Sequence, residues 1–447
     1  MRPLVLLATV ALAGCAPPSD VPGTLAVPTT PSGAADPPHV VLVLVDDLGA
    51  TDLGGHGSDL HLTPRIDALT TAGVRFTNAY AAAAVCSPTR AAIVTGQHPA
   101  RLQVTDWIPG RGDDGELLRE ARWQPYLPDD VPTLGDVLSA HGYHTAWHGK
   151  WHLDGQPTDH GFHEGFQDWS LMTGQRPDDP KGVLEVTADA LATFDAATGP
   201  VFVAVSHHSV HTPLRTRPEQ VEAVRQRMAA RGPGVHDHPR YAAMVEDLDA
   251  SVGVLLDGLA LRGVLEDTVV IVTSDNGGLA RITTNIGLRS GKGSLYEGGL
   301  RVPLVVWSPE VVPHDSPVVT SSEDLLPTIA AITGAPLPGP VDGRSLLPVL
   351  QGEALPDRPV QAHYPHHNTN PEAFPGGSFR DEDGFKLVER FGSSGSTFEL
   401  YDLHSDRAEN FDLAAERPEQ VAALRERLAA WRLAVGAQEM SSSDPLP

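Results

Sequence analysis

Disulfides cannot organise this chain of 447 residues, because it holds only two cysteines, Cys15 and Cys86. Positive charge is scarce too: 32 basic residues stand against 57 acidic ones, for a formal net charge of −25. A nucleic-acid partner is therefore not expected, since its binding surface would have to be basic. Only four of the basic residues are lysines, Lys150, Lys181, Lys292 and Lys386. An arginine-rich chain that keeps a lysine can need a compact ammonium at that place. Nowhere beyond the N-terminus is there an apolar run approaching the ~20 residues of a membrane-spanning helix. What is present is ordinary globular usage, 41% hydrophobic and 20% charged. The length allows two or three domains.

The N-terminus reads as an export signal. Arg2 precedes a short apolar run, 4–13, ending in Leu12-Ala13-Gly14-Cys15, which resembles a bacterial lipoprotein box. Residues 1–15 are then a signal peptide, with Cys15 the lipid-bearing first residue of the mature chain. Residues 16–38, rich in Pro, Ser, Thr and Ala, are a flexible tether. The expected location is the periplasm or cell surface of a bacterium, on a membrane through the lipid on Cys15. A plain secretory signal with an incidental cysteine is the alternative. If Cys15 carries lipid, Cys86 has no disulfide partner, and a lone thiol in an oxidising compartment is a liability unless buried or chemically altered.

From residue 39 onward, buried-strand patterns alternate with helical ones, which indicates an α/β fold with a largely parallel sheet. HVVLVLV at 39–45 suits a strand covered on both faces. Further strands are expected near 143–148, 201–205, 269–273 and 302–307. Helices are expected at 133–140, at 241–261, and from Pro64 to Gly73 with Thr63 as cap. Composition shifts at 334–340 and 355–359 place a boundary, giving a catalytic domain over 39–355 and a C-terminal subdomain over 356–447. The latter has short antiparallel strand patterns at 360–364, 385–389 and 398–400 and a closing helix at 417–433. Polar residues gather just past four strand runs: Asp46-Asp47; Lys150 and His152; Ser206-His207-His208 with His211; Ser274-Asp275-Asn276. In a parallel sheet those carboxyl ends share one edge, where α/β proteins bind ligands. Each cluster alone is more often a loop or cap; four at one end point to a site.

Asp46, Asp47, Asp275 and Asn276 are hard oxygen ligands, suited to Ca²⁺ or Mg²⁺ rather than Zn²⁺. Two adjacent carboxylates ending a buried strand are costly to desolvate unless a cation balances them. The plainer reading is a capped turn. In CSPTR at 86–90, Pro88 suits the first turn of a helix, which puts Cys86 at its positive end, a seat for an oxyanion. Arg90 adds a planar donor fork that suits sulfate or phosphate oxygens. Taken alone, this is a small buried cysteine beside a surface arginine.

CSPTR also resembles the C-x-P-x-R sequence of type I sulfatases, in which the cysteine is oxidised to formylglycine. Other segments are similar to that family in the same order: VDDLG (45–49), GVRFTNAY (73–80), AAIVTG (91–96), HGKWHL (148–153), HTP (211–213), SDNGG (274–278), GKGSLYEGGLRVP (291–303), DLLPT (324–328) and ELYDL (399–403). The resemblance runs from about His39 to the C-terminal helix. It implies the alkaline-phosphatase-like fold, a large mixed, mostly parallel sheet between helices with a small C-terminal antiparallel sheet plus helix. It implies a sulfuric ester hydrolase, arylsulfatase-like, acting on a sulfated small molecule or glycan. By this analogy Asp46, Asp47, Asp275 and Asn276 bind one Ca²⁺ together with the hydrated formylglycine at position 86. A separate maturation enzyme would make that group before the chain folds, and the lone thiol would cease to be a liability. Arg90, Lys150 and Lys292 would neutralise the sulfuryl oxygens. His211 with Lys292 would protonate the departing alcohol, and His152 would deprotonate the second hydroxyl to expel sulfate.

Three departures stand out. Ser209-Val210 replaces the usual Ala-Pro before His211, His207 and His208 are extra histidines, and Asp154 follows HGKWHL where glycine is usual. Specificity is expected on loops such as 106–130 and 363–380. The alternatives are a phosphoesterase of the same superfamily, disfavoured by Cys86 with Pro88 and Arg90, and a non-catalytic surface-binding lipoprotein, which would predict losses among the metal and lysine positions.

Overall fold

The apolar run at 39–45 becomes the centre of the larger of the two main sheets; among the described residues a third, of two short strands, pairs 118–119 with 441–442. A computed structural model describes residues 37–111, 118–174, 176–368, 370 and 372–442. The expected signal peptide, the lipidated Cys15 and the tether up to residue 36 lie outside the described residues. Strands β1 (His39–Val45), β2 (Val74–Tyr80), β3 (His144–Gly149), β4 (Glu164–Phe166), β5 (Val201–Ser206), β6 (Thr268–Ser274), β7 (Leu304–Trp307) and β8 (His314–Ser321) form one sheet. Their order is β4-β3-β5-β1-β6-β7-β2-β8. Every neighbouring pair is parallel except those of β7, which runs against both β6 and β2.

Helices cover both faces: α1 (Pro64–Ala72), α2 (Cys86–Thr95), α3 (Leu134–Ala140), α4 (Val183–Ala196), α5 (Pro218–Arg231), α6 (Pro239–Leu261) and α7 (Leu325–Thr333). Alternate residues of β1 explain the layering. Val40, Leu42 and Leu44 share a core with Ile93 of α2, Leu138 of α3 and Ile329 of α7. Val41, Val43 and Val45 share another with Ile66 of α1, Ala190 of α4 and Leu248 of α6. Each such fully buried Val or Leu is worth about 1.5–3 kcal/mol of transfer free energy.

Thr63 does not cap α1 with its side chain. Its hydroxyl donates to Asp67 and accepts from the Gly54 amide. The first-turn amides of Arg65 and Ile66, which have no partner within the helix, are taken instead by the Asp249 carboxylate of α6. A tertiary acceptor replaced the local one, which no local pattern could reveal.

The smaller sheet is antiparallel, β9 (Val360–Tyr364), β10 (Gly376–Arg380), β11 (Phe385–Arg390) and β12 (Thr397–Asp402). Helix α8 (Pro418–Val435) packs on it through Leu424 and Leu428 against Phe379, Leu387 and Leu400. β10 corrects the expectation of a loop over 363–380. Its Gly376-Gly377 start is a poor strand former by propensity. Glycine is needed at Gly376, where a Cβ would strike the Glu389 carbonyl; at Gly377 a Cβ would press on the end of the Arg432 side chain. Among the described residues, no helix is long and apolar enough to cross a membrane.

Candidate active site

Sheet register brings the polar clusters together. Val45 pairs with Ser274, and Ser206 pairs with both Leu44 and Gly149. The chain therefore leaves the sheet at one edge through Asp46, Asp275, His207 and Lys150. β2 runs the same way, and the buried stretch 81–85 carries the chain from it to Cys86, first residue of α2. One ligand atom from each of Asp46, Asp47, Cys86 and Asp275 lies within 4.8 Å of the others, with all four residues buried. Asn276 joins them, its Nδ2 donating to Asp47 Oδ1 at 2.8 Å.

Three cations face these three carboxylates. Lys150 Nζ lies 2.7 Å from Asp46 Oδ2 and 3.8 Å from Asp275 Oδ2. Lys292 Nζ donates to Asp47 Oδ1 at 2.6 Å and to Cys86 Sγ at 3.2 Å. Burial alone would discharge these lysines, but Asp46 beside Lys150 and Asp47 beside Lys292 hold both above the ordinary lysine range. Burial would likewise raise Asp46, yet Lys150, His211 and Lys292 hold it well below the usual carboxylate range. The Cys86 thiol is pushed up to about 12, chiefly by burial and then by Asp275. It is no thiolate nucleophile as it stands.

The donor set fits a hard cation. Among the described residues, buried Asn276 Oδ1 has no partner. Asp46 Oδ1 meets only the Cys86 sulfur at 3.6 Å, and Asp47 Oδ2 only His211 at 3.8 Å. Buried acceptors left unpaired by three nearby cations suit oxygen-seeking Ca²⁺ or Mg²⁺. Carboxylates and bases already balance, so a divalent ion would leave the site positive. That is how an acidic protein can still attract an anion.

Arg90 is placed differently from the sequence expectation. It is 0% exposed. Its Nε donates to Asp275 Oδ2 at 2.8 Å, and Nη1 donates to the Lys150 carbonyl at 2.6 Å and Ser206 Oγ at 2.8 Å. Nη2 lies 2.8 Å from the same Asp275 oxygen. Nε and Nη1 are thus spent on orienting Asp275 and the Lys150 turn, while Nη2 is buried beside Asp275 without a hydrogen bond of its own.

His152 Nε2 bonds the Ile108 carbonyl at 2.7 Å, leaving Nδ1 buried and without a partner. Burial, then Lys150, hold the ring well below its usual pKa, so it is neutral with Nδ1 as a free acceptor. His211 Nδ1 bonds the Thr212 carbonyl at 2.5 Å, which turns Nε2 toward Asp47. Burial and Lys292 lower its pKa. Ser209-Val210 is pinned by backbone bonds to Asp46, at 3.0 Å from the Ser209 carbonyl and 2.8 Å from the Val210 amide. Asp154 accepts from the Leu127 amide at 2.8 Å and so anchors a neighbouring loop. His208 is fully buried with neither nitrogen partnered.

Sequence reasoning missed the groups that brace the site. Ser206 Oγ donates to the Lys150 carbonyl at 2.6 Å, and Gln167 Oε1 accepts from the amides of Trp151, at 3.0 Å, and His152. Both contacts arise from strand adjacency and loop return, which leave no local signature.

Comparison with known proteins agrees with this geometry. The sulfatase family profile matches residues 38–335, and the profile described as N-sulphoglucosamine sulphohydrolase, C-terminal, matches 290–433. The chain is 30% identical to arylsulfatase A of Homo sapiens, over 88% of this chain and 87% of that protein. It is also 30% identical to a sulfatase of Formosa agariphila, over 89% and 88%. Among solved structures, Ps i-CgsB superposes with a TM-score of 0.76 at 25% identity, covering 89% of this chain and 93% of that one.

Proposed function

The chain belongs to the sulfatase family, and on that premise we propose a formylglycine- and calcium-dependent mechanism for it. It is a sulfuric ester hydrolase with the alkaline-phosphatase-like fold, cleaving sulfate esters to an alcohol and inorganic sulfate. The observation that carries the finer reading is the convergence of Asp46, Asp47, Cys86 and Asp275 on one point flanked by Lys150 and Lys292.

In this reading Asp46, Asp47, Asp275 and Asn276, with residue 86, hold Ca²⁺. Bound there, the ion and a hydrated formylglycine at 86 would supply Lewis acidity and an oxygen nucleophile for sulfur. The protein's own groups do the rest. Lys150 and Lys292, both kept charged by their carboxylates, neutralise the sulfuryl oxygens as charge shifts. His211 with Lys292 serves the departing alcohol oxygen. The proton comes from the charged Lys292 ammonium, because His211 gives its Nδ1–H to the Thr212 carbonyl and is held below its usual pKa, which leaves Nε2 an acceptor able to relay it. His152 Nδ1, its free acceptor, takes the proton whose removal expels sulfate. Arg90 fixes Asp275 and the Lys150 carbonyl behind them.

Cys86 is 1% exposed, so an oxidising maturation enzyme must act before folding. The substrate is an aryl sulfate or a sulfated glycan. Export as a lipoprotein anchored through Cys15 supplies access to such molecules outside the cell. The test is the mass of the tryptic peptide 76–90 from protein produced with a maturation enzyme. Formylglycine at 86 supports the mechanism; unmodified cysteine in a protein that still turns over sulfate esters would overturn it.

A further inference from the structure

A second buried group lies apart from Cys86, formed by Asp106, Glu120 and His366. One ligand atom from each lies within 4.8 Å of the other two. Asp106 and His366 are 0% exposed, and the Glu120 side chain is 13% exposed. Each residue has one polar atom tied down and another turned inward. Asp106 Oδ1 accepts from the Trp107 amide at 2.8 Å and from the Tyr364 hydroxyl at 2.9 Å, while Oδ2 is buried with no partner. His366 Nε2 bonds Thr105 Oγ1 at 2.8 Å. Its Nδ1 is buried, makes no hydrogen bond, and lies 3.5 Å from Glu120 Oε2. Glu120 Oε1 accepts from the His367 amide at 2.9 Å.

That division of labour is what metal-binding side chains show. Outer hydrogen bonds fix the imidazole tautomer and the carboxylate rotamers, and the inner atoms converge on the ion. Burial also pushes the Asp106 carboxyl above its usual pKa, a cost that a cation would relieve. We propose that Asp106, Glu120 and His366 bind a divalent first-row transition ion of the zinc class, separate from the cation site at Cys86. One imidazole and two carboxylates suit Zn²⁺ better than Ca²⁺ or Mg²⁺, with water completing the shell.

Its place in the fold gives the ion a task. Ile108, two residues past Asp106, accepts from His152 through its carbonyl and donates from its amide to Ser87 Oγ at 3.1 Å. Asn370, four residues past His366, donates to the Lys292 carbonyl at 2.5 Å. The ion therefore clamps together two segments that position His152 on one side and Lys292 on the other.

The test is metal binding by purified, untagged protein held in calcium buffer, stripped of transition metals and titrated with Zn²⁺. Co²⁺ serves as the visible-spectrum probe. One equivalent of zinc is expected in wild type and equally in Asp275→Asn, which alters only the other site. Glu120→Gln and His366→Gln should each lose that equivalent. Thr105→Val, which removes only an outer hydrogen bond, should weaken it by roughly 10–100-fold. A thermal melt in parallel confirms that each variant is folded. Glu120→Gln is partly exposed and conservative, so it keeps the test decisive if His366→Gln unfolds. Wild type that retains no zinc, or zinc binding unchanged in Glu120→Gln, overturns the proposal.

Discussion

Two buried charge clusters in this molecule use the same kinds of residue and differ in how their oxygens are occupied. Between the two sheets, Glu297 Oε1 lies 2.8 Å from Lys386 Nζ, and Oε2 accepts from the Tyr80 hydroxyl at 3.0 Å and from Arg301. Glu409 Oε2 accepts from the Glu297 amide at 2.7 Å, and Oε1 lies 2.9 Å from the same lysine. Both Glu297 oxygens have a donor, and Glu409 Oε1, which makes no hydrogen bond, still has the Lys386 ammonium against it. At Cys86 the lysines are equally close, yet Asn276 Oδ1 has no partner and Asp47 Oδ2 finds only His211 at 3.8 Å. Burial and composition do not separate a structural ion network from a receptor for a ligand. Spare acceptor capacity does, because proteins rarely bury an acceptor that nothing fills.

The largest expected effect falls on the unsaturated cluster. Asp275→Asn preserves shape and the contact with Arg90 but removes a ligand charge. It should lower kcat/KM on an aryl sulfate by at least roughly 100-fold, the scale of losing one electrostatic contact to a transition state. Its thermal midpoint should fall as well, because buried Arg90 loses its charged partner, so turnover is compared per folded molecule. Near-normal turnover would remove Asp275 from the metal site and break the comparison.

Lys386→Met probes the saturated cluster in the opposite sense. It removes the ammonium that two buried carboxylates share, leaving Glu409 without a cation, and breaking such a pair costs about 3–5 kcal/mol. Urea unfolding should show that loss, while kcat/KM per folded molecule is unchanged. A drop in turnover without a drop in stability would mean that the two clusters are not of different kinds.

The sequence made part of this contrast legible. Apolar runs followed by Asp46-Asp47, Lys150 and Asp275-Asn276 could be placed on one edge because parallel strands align their carboxyl ends, and the register of β1, β5, β3 and β6 does align them. The motif around Cys86 identified the family through its order of segments. What stayed hidden was set by tertiary contact. Arg90 reads as an exposed anion fork until Asp275 and the Lys150 carbonyl are seen to take up its Nε and Nη1. Thr63 reads as a cap until Asp249 arrives from α6. Gly376-Gly377 reads as a loop because propensity cannot register that the Glu389 carbonyl excludes a Cβ at Gly376.

A third cluster tests the criterion at its boundary, with the smallest expected effect. Asp52, His61 and His236 bring ligand-type atoms within 4.8 Å, so composition alone would admit a metal. Asp52 has no capacity left. Its Oδ2 accepts from the Gly49 amide at 3.0 Å and the Tyr241 hydroxyl at 2.6 Å. Its Oδ1 accepts from Thr283 at 2.7 Å and lies 3.2 Å from His236 Nε2. The other nitrogen of His236 lies 2.9 Å from Asp59 Oδ1, so the ring bridges two carboxylates. Burial opposes its charge, but the bonds to Asp52 and Asp59 prevail and raise its pKa above 6.5. A histidine raised on folding contributes stability that is fully present below its unfolded pKa and is lost as pH climbs through the folded value. His236→Gln should therefore cost most near about pH 6, on the order of 1.5–3 kcal/mol for hydrogen bonds to a charged group. It should cost least on the alkaline side. Urea unfolding of both proteins across that range reads the difference directly. A flat difference would mean that the ring is neutral in the folded protein, and zinc retained here by wild type but not by His236→Gln would show that a fully bonded carboxylate can still be a ligand.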